Sequence, residues 1–192
     1  MQLWGQSIRP LDIVRTDGRN GDRAVADTIH KMIVVARHSA SLPIVIAAVN
    51  SCLDRVETPT TQYAIADRIY WFIKHRIAFE TDEEILMEQF GFTKEEAEDT
   101  DLIISPEMLL SVPNPKGDCD CFATLTAAML LCCHIKARFT AIAVDEDEPY
   151  RFSHVFCKAL LDGQWTAMDT SHGHYVGWET TKHRFRQAEF DV

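Results

Sequence analysis

The fold of this chain is decided by the stretch KGDCDCFATLTAAMLL at residues 116–131. Pro113 and Pro115 keep the approach extended, and from Phe122 onward the residues favour a helix. Cys119 therefore stands where a loop becomes a helix, at the positive end of the helix dipole and beside unpaired N–H groups, which favour the thiolate. This position predicts a nucleophilic cysteine, although a small residue buried for packing is an equal alternative on position alone.

A β-hairpin is predicted at residues 153–169, downstream of this helix. Asp162 and Gly163 lie between two β-like runs, and Asp-Gly in that setting is a strong hairpin signal. If the loop has an even number of residues, His154 and Asp169 share one face as diagonal neighbours, with Cα atoms roughly 7–8 Å apart. A register shift of one residue would put them on opposite faces. The pattern therefore predicts that this imidazole and this carboxylate meet.

Cys119, His154 and Asp169 are the residue types that carry nucleophilic acyl transfer. The imidazole takes the thiol proton, and the carboxylate fixes the ring tautomer and stabilises the imidazolium. The helix start supplies N–H groups for an oxyanion, with the N–H of Cys119 as the expected donor. A second donor is not identified: Asn114 lies close before the cysteine, but a structural role is at least as well supported.

These motifs resemble a known family. The runs GDCDCFATLTAAMLLCCHIKARFTAIAV (117–144) and SHVFCKALLDGQWTAMDTS (153–171) resemble the core of the transglutaminase-like superfamily of papain-like cysteine enzymes. In that family a G-x-C segment opens a helix, a strand begins with His, and a W-x-x-x-D segment follows. The family's catalytic residues fall on Cys119, His154 and Asp169, so the resemblance implies a cysteine hydrolase, protease or acyltransferase that acts through a thioester.

The resemblance covers residues 61–178, with one departure from the family pattern. Many bacterial and phage members have an acidic residue two positions after the cysteine, where this chain has Cys121, so helix capping or substrate contacts can differ. The segments at 36–49, 63–79 and 105–110 are most similar to the transglutaminase-like proteins encoded by bacteriophages and prophages. This narrower resemblance implies phage structural proteins as partners and a role in virion assembly or host entry.

Length and charge limit the other function classes. The 192 residues fit a catalytic core at 61–192 preceded by an N-terminal arm and helical extension at 1–60. The net charge of −10 and the lack of a basic run argue against nucleic acid or an anionic membrane as partner. No apolar signal core or membrane span is evident, so we expect a cytoplasmic protein, or a virion-associated one if it is phage-encoded.

The expected fold class is α+β, with the cysteine helix packed on a small antiparallel sheet. N-terminal helices cover one side of this core. The expected strands lie at 137–144, 152–161 and 164–169, with an extension near 175–178. The other expected features are an irregular arm at 1–20, helices near 22–37, 44–53, 61–75, 83–90 and 94–98, a solvated acidic surface at 81–104, and a surface tail from Thr180. The alternative for the acidic run is a wall of the site that repels anionic substrates.

Two metal hypotheses are weaker than the cysteine triad. Zinc ligands are available at Cys119, Cys121, Cys132, Cys133 and His134, but on one continuous helix they point in different directions around the axis. We therefore expect reduced cysteines and no structural metal or cofactor.

A second metal set would join His172 and His174 to His154 and Asp169, as in a metal-dependent hydrolase. Histidines that flank a glycine in a turn are more often loop hydrogen-bonders. A third class of function remains open, in which the protein is a non-catalytic binding or virion-assembly module with the same fold. The leading prediction is an enzyme with a peptide or amide substrate.

Overall fold

The computed structural model describes residues 2–3, 6–7, 11–15, 21–54, 61–98 and 100–192. It is an α+β fold, as predicted. Its helices are α1 (Gly21–Ser39), α2 (Pro43–Leu53), α3 (Gln62–Arg76), α4 (Asp82–Phe90), α5 (Lys94–Glu98), α6 (Pro106–Ser111) and α7 (Cys119–Cys132). Its strands are β1 (Gln2–Leu3), β2 (Gln6–Ser7), β3 (Leu11–Arg15), β4 (Ala78–Phe79), β5 (Thr100–Ile104), β6 (Lys116–Gly117), β7 (Ala137–Ala143), β8 (His154–Leu161), β9 (Gln164–Met168) and β10 (Arg186–Asp191).

Helix α7 is the centre of the core. Its residues 120–130 are all buried, and the apolar composition on every side is that of a helix enclosed by other elements. It packs against β8 of the main sheet and against α1, α2 and α3. Met32 of α1 and Val45 of α2 lie in the same hydrophobic cluster as Leu125 of α7. The division at residue 60 stays a prediction, but side chains from both sides of it share one core.

The main sheet is antiparallel, with the strand order β10-β7-β8-β9. The hairpin register is the predicted one, because Leu160 pairs with Trp165 and Leu161 with Gln164. Asp162 and Gly163 form the two-residue turn with φ angles of 49° and 86°, and positive φ at both central positions matches the twist of the flanking strands.

The edges of this sheet differ from the prediction. The expected extension near 175–178 is wrong: these residues form a turn, from which Gly177 N–H donates to the Ala167 carbonyl. The expected surface tail from Thr180 is also wrong in part, because β10 pairs with β7 at the opposite edge. Arg138 of β7 pairs with Glu189 and Asp191 of β10, so two carboxylates of the expected tail bind a residue far away in the sequence.

The N-terminal segment and the acidic run also contain structure that was not expected. In place of an irregular arm, residues 11–15 form β3, which pairs with β5 from Leu11↔Ile104 to Arg15↔Thr100. The run at 81–104 is not simply a solvated surface, because β5 is largely buried and Asp82 accepts the Leu102 N–H at 2.7 Å. Pairing between segments so distant in sequence leaves no local signal.

The described helices agree closely with the predicted ones. Thr61 caps α3 by accepting the Ala64 N–H at 3.1 Å, and Thr81 with Glu84 forms a capping box at the start of α4. Within the described ranges, no single helix is both long and apolar enough to cross a membrane. Only α1 and α2 taken together, which are bent by 76°, reach that length and composition.

Candidate active site

The start of α7 is fixed by a side-chain cap and a close backbone approach. Asp118 is the N-cap residue, and its Oδ1 accepts the N–H groups of Asp120 at 3.1 Å and Cys121 at 3.4 Å. Gly117 lies so close to the helix that a Cβ there would be 2.7 Å from the Cys121 Cβ. Cys119 is therefore held as the first helical residue, as predicted from the sequence.

His154 and Asp169 are in direct contact. His154 begins β8, Asp169 directly follows β9, and the distance from His154 Nε2 to Asp169 Oδ2 is 2.9 Å. The predicted register places both on one face of the sheet, and this contact confirms that they meet. An ionised carboxylate can only accept, so Nε2 carries the proton and the lone pair of Nδ1 is left to act as a base.

The Asp169 carboxylate is fully engaged and only 4% exposed. Its Oδ1 accepts from Ser171 Oγ and from the His172 N–H, both at 2.9 Å. Burial alone would raise its pKa, but His154, with help from His172 and Ser171, holds the pKa at about 2. Asp169 is thus a permanent anion at neutral pH and is suited to orient the imidazole. The turn that follows requires glycine, because a Cβ on Gly173 would be 2.3 Å from the Asp169 carbonyl oxygen.

Cys119 and His154 line the same cleft, whose volume is about 1070 Å³. Its described walls come from α1, the start of α4, β5, the start of α7 and the loop that precedes β8. Cys119 is half-buried, and the backbone N–H of Val155 approaches its Sγ. No hydrogen bond joins Cys119 to the His154 ring among the described residues, although the thiol and the imidazole line the same cleft.

The expected low pKa of Cys119 is wrong for this arrangement. Burial raises the pKa of its thiol well above the usual range, and the carboxylates of Asp118 and Asp120 raise it further. Asp118 Oδ2 lies 3.8 Å from Cys119 Sγ, and the same side chain uses two N–H groups of the helix start. The cap therefore offsets the positive end of the dipole that was expected to favour the thiolate.

The oxyanion site is only partly identified. Of the first three N–H groups of α7, those of Asp120 and Cys121 donate to Asp118, which leaves the Cys119 N–H as the candidate donor. Asn114 does not line this cleft but a separate cavity of about 180 Å³ with Ile85. A second donor is not assigned.

His172 is a site residue whose position the sequence did not reveal. We expected it to be a loop hydrogen-bonder, and its N–H does bind Asp169. Its ring also packs edge-on against His154, with centroids 4.9 Å apart, and against Phe79 at 4.8 Å. Desolvation of the ring, followed by the charge of His154, lowers its pKa. The sequence signal for His172 was its position three residues after Asp169, in the turn. His174, by contrast, packs on Trp178.

Among the described residues, two groups of side chains have the spacing of metal ligands. One is His154, Asp169 and His172, in which the contact between His154 Nε2 and Asp169 already uses one atom of each. The other is Asp118, Asp120 and Cys121.

The cysteine-rich set considered for zinc does not converge. Cys119 and Cys121 lie at the start of α7, whereas Cys132 and Cys133 lie at its other end, about 20 Å away at 1.5 Å per residue. Cys121 itself is buried, with its Sγ 3.6 Å from the Leu102 carbonyl oxygen. It therefore contributes to packing rather than to substrate contacts.

Comparisons with known proteins identify the family of the chain. No curated protein matches the chain. A structural comparison finds a crystal structure of a candidate cysteine protease from Cytophaga hutchinsonii, at 13% sequence identity and a TM-score of 0.44. The alignment covers 93% of this chain and 54% of that protein, so the chain spans about half of the other's length. The model of the transglutaminase-like superfamily matches residues 50–170, more than half of the sequence, and the chain belongs to that superfamily.

Proposed function

We propose that the protein is a cysteine-dependent acyl-transfer enzyme in which Cys119, His154 and Asp169 form the catalytic triad. The observation that carries this proposal is the 2.9 Å contact between His154 and Asp169 in the cleft that Cys119 also lines. Membership of the superfamily supports a cysteine enzyme in general. The geometry of the site supports the residue roles and the reaction proposed for them.

In the first step, Cys119 Sγ attacks the carbonyl carbon of an amide or peptide bond. His154 Nδ1 takes the thiol proton as the S–C bond forms, and the Cys119 N–H donates to the developing oxyanion. The imidazolium then protonates the leaving amine, the C–N bond breaks, and a thioester remains on Cys119. Asp169 stays ionised throughout and stabilises the imidazolium through Nε2.

In the second step, His154 deprotonates the group that attacks the thioester. Attack by water gives a carboxylic acid, and attack by a second amine gives a new amide. In both cases the C–S bond breaks and the proton returns through His154 to Cys119. The cleft of about 1070 Å³ has room for an acyl donor and an attacking group together.

A non-catalytic module is the second candidate, and two observations favour it. The thiol pKa of Cys119 is raised, and no hydrogen bond joins Cys119 to His154 among the described residues. Such a module would bind its partner in the same cleft without turnover. The narrower resemblance to phage-encoded members makes phage structural proteins the proposed partners, in a virion or in the host cell. This part of the proposal is supported by sequence segments alone.

Acyl transfer to p-nitrophenyl acetate tests the proposal without knowledge of the natural substrate. We expect acetylation of Cys119, located by mass spectrometry, followed by slow deacetylation and continuous release of nitrophenolate. Cys119→Ala removes the turnover, whereas Cys132→Ala, which removes a half-buried cysteine at the far end of α7, leaves it unchanged. Turnover that persists in Cys119→Ala, or acetylation spread over several cysteines without turnover, would favour the non-catalytic module.

A further inference from the structure

The cleft around Cys119 is strongly acidic in its described part. The positively charged Arg151 lines the cleft and pairs with Glu148 at 3.0 Å. His154 and His172 also line the cleft, on the candidate catalytic side. The carboxylates that line the cleft are Asp22, Asp82, Glu83, Asp101, Asp118, Asp120, Asp145 and Glu148. Fields of one sign in a cleft with low-dielectric walls concentrate ligands of the opposite charge.

Two of these carboxylates are buried with an oxygen that lacks a partner. Asp82 is 8% exposed and Asp120 is 5% exposed. Within the described part of the chain, the Oδ1 atom of each has no hydrogen-bond partner, although Asp82 Oδ2 accepts the Leu102 N–H at 2.7 Å. A buried polar atom without a partner is costly, so its retention in the wall of a cleft points to a ligand that completes it.

The carboxylates of Asp82, Asp101 and Asp118 approach one another beside Cys119 from three different elements. Asp82 is the first residue of α4, Asp101 lies on β5, and Asp118 caps α7. Asp101 Oδ2 is fixed by Thr28 Oγ1 at 3.1 Å, and Asp118 Oδ2 lies 3.8 Å from Cys119 Sγ. A cation held among them is therefore close to any carbonyl that Cys119 attacks.

We propose that the substrate of this site carries an ammonium or guanidinium group next to the scissile carbonyl, and that Asp82, Asp101 and Asp118 bind it. The inference rests on the proposed function and names its substrate class. A carboxylate binds a guanidinium or ammonium group through short, charge-assisted hydrogen bonds. We place the cation on the substrate because Asp118 lies against Cys119 and the carboxylates share its cleft, and a metal ion is the competing outcome of the test.

Such a substrate would also change the state of the nucleophile. Burial and the neighbouring Asp118 raise the pKa of Asp82 to about 9, so at neutral pH the cluster holds protons that a bound cation replaces. The same cation offsets the carboxylate charges that raise the pKa of Cys119. Binding of the correct substrate and activation of the thiol are thereby linked.

A charge series of small alkylating reagents tests this inference. The reagents are 2-bromoethylammonium, neutral iodoacetamide and anionic iodoacetate; each forms an S–C bond with Cys119 and releases halide. The rate at Cys119 is divided by the rate of the same reagent with N-acetylcysteine at the same pH, which removes intrinsic reactivity. We expect the wild type to favour the cationic over the neutral reagent by a factor of about 10 or more, and to disfavour the anionic one.

Matched variants locate the preference. Asp82→Asn and Asp101→Asn keep the side-chain shape and should each reduce the preference at least about fivefold, because an amide cannot release a proton to become the anion that faces the bound cation. Asp147→Asn makes the same charge change at an exposed residue outside the cleft lining and should leave the preference intact. Melting temperatures identify any variant that fails to fold, and the two cluster variants serve as independent tests.

Three outcomes overturn the inference. The first is an equal normalised rate for all three reagents, and the second is a preference that neither Asp82→Asn nor Asp101→Asn reduces. The third is stoichiometric Ca²⁺ binding by calorimetry that requires Asp82 and comes without a cationic preference, which would make the cluster a metal site.

The same assay in His154→Ala separates this inference from the proposed function. A cationic preference in both proteins, with equal alkylation rates in the wild type and His154→Ala, supports the cation site and contradicts the triad. Rates that depend on His154 without any cationic preference contradict the cation site alone.

Discussion

Asp169 and Asp82 are both buried aspartates within reach of one cleft, yet their environments are opposite. Asp169 receives hydrogen bonds on both oxygens from His154, Ser171 and His172, and its pKa is about 2. Asp82 receives one backbone hydrogen bond, lies near other carboxylates and has a pKa of about 9. Burial disfavours the charge of both, so their neighbours decide the difference.

Asp169 and Asp82 therefore suit two different tasks, although they are the same residue type. A carboxylate whose hydrogen bonds are all made within the protein is a fixed anion that can orient a histidine. A carboxylate with an unpartnered oxygen in a cleft wall is prepared to accept a positive group from outside. Asp82 and Cys119 line the cleft, and Asp169 binds His154, which also lines it. Both oxygens of Asp169 are hydrogen-bonded, whereas Asp82 has an oxygen without a partner among the described residues.

Removal of the charge of Asp169 should have the largest effect. In Asp169→Asn the amide cannot stabilise the imidazolium and can hold the wrong ring tautomer, so Cys119 acylation should slow by about 10²–10⁴-fold. Initial rates with p-nitrophenyl acetate measure the loss. Asp162→Asn, in the exposed hairpin turn where Asn is well accepted, should match the wild type. A loss of less than threefold in Asp169→Asn would remove this residue from the triad.

Disturbance of the turn behind Asp169 should have the next largest effect. In Gly173→Ala the Cβ would lie 2.3 Å from the Asp169 carbonyl oxygen and 3.0 Å from the Tyr70 hydroxyl, so the turn must shift. We expect a loss of about 1–3 kcal/mol in unfolding free energy by denaturant titration, together with slower acylation. Tyr70→Phe should not rescue the variant, because the severe contact is with backbone. Full rescue would identify the hydroxyl as the cause.

The low pKa of Asp169 predicts a specific loss of stability in acid. Because the folded-state pKa of about 2 lies below the 3.8 of an aspartate in the unfolded chain, the ionised group stabilises the fold above about pH 4, and this contribution is lost as the pH falls towards 2. The difference corresponds to about 2 kcal/mol. Denaturant titrations of wild type and Asp169→Asn between pH 2 and 7 should converge at low pH. A constant difference across this range would contradict the assignment.

Asp82 predicts a pH dependence of opposite sign. The folded-state pKa of Asp82, about 9, lies above 3.8, so the folded protein holds the extra proton and loses stability as the pH rises from about 4 to 9. The charges that face Asp82 are those of Asp118, Asp101 and Glu83. Asp82→Asn keeps an acceptor for the Leu102 N–H and should raise the melting temperature at pH 8 by about 2–4 °C.

The pH dependence is the control in this measurement. The gain from Asp82→Asn should shrink at pH 5, because the stability that the wild type loses through the raised pKa of Asp82 accumulates from about pH 4 upward and is still small there. Asp147→Asn, at an exposed position, should show little change at either pH. A gain that is larger at pH 5 than at pH 8 would reverse the sign and contradict the raised pKa.

Local patterns in the sequence predicted the parts of the site that depend on local structure. The start of α7 at Cys119 followed from the loop-to-helix transition, and the contact of His154 with Asp169 followed from a two-residue turn and the period of a strand. The positions of β10 and β3 did not follow, because they depend on pairing with strands far away in the sequence.

The electrostatic environment of Cys119 was missed for the same reason. The sequence showed the favourable helix dipole but not that Asp82 and Asp101 approach Asp118 in space. Part of the acidic run at 81–104, which was expected to be mainly solvated surface, therefore lines the cleft. Position within a helix was readable from the sequence, whereas the sum of the charges around the thiol required the tertiary fold.

The most direct test of the triad is the rate constant for Cys119 acylation by p-nitrophenyl acetate from pH 5 to 9 in three proteins. These are the wild type, His154→Ala and the matched control His174→Ala, whose ring packs on Trp178. If His154 is the base for Cys119, the wild type and His174→Ala should share one pH profile, and His154→Ala should fall about 10²–10⁴-fold below it at pH 7. Equal rates in all three proteins would contradict the triad and leave a binding module as the function of this cleft.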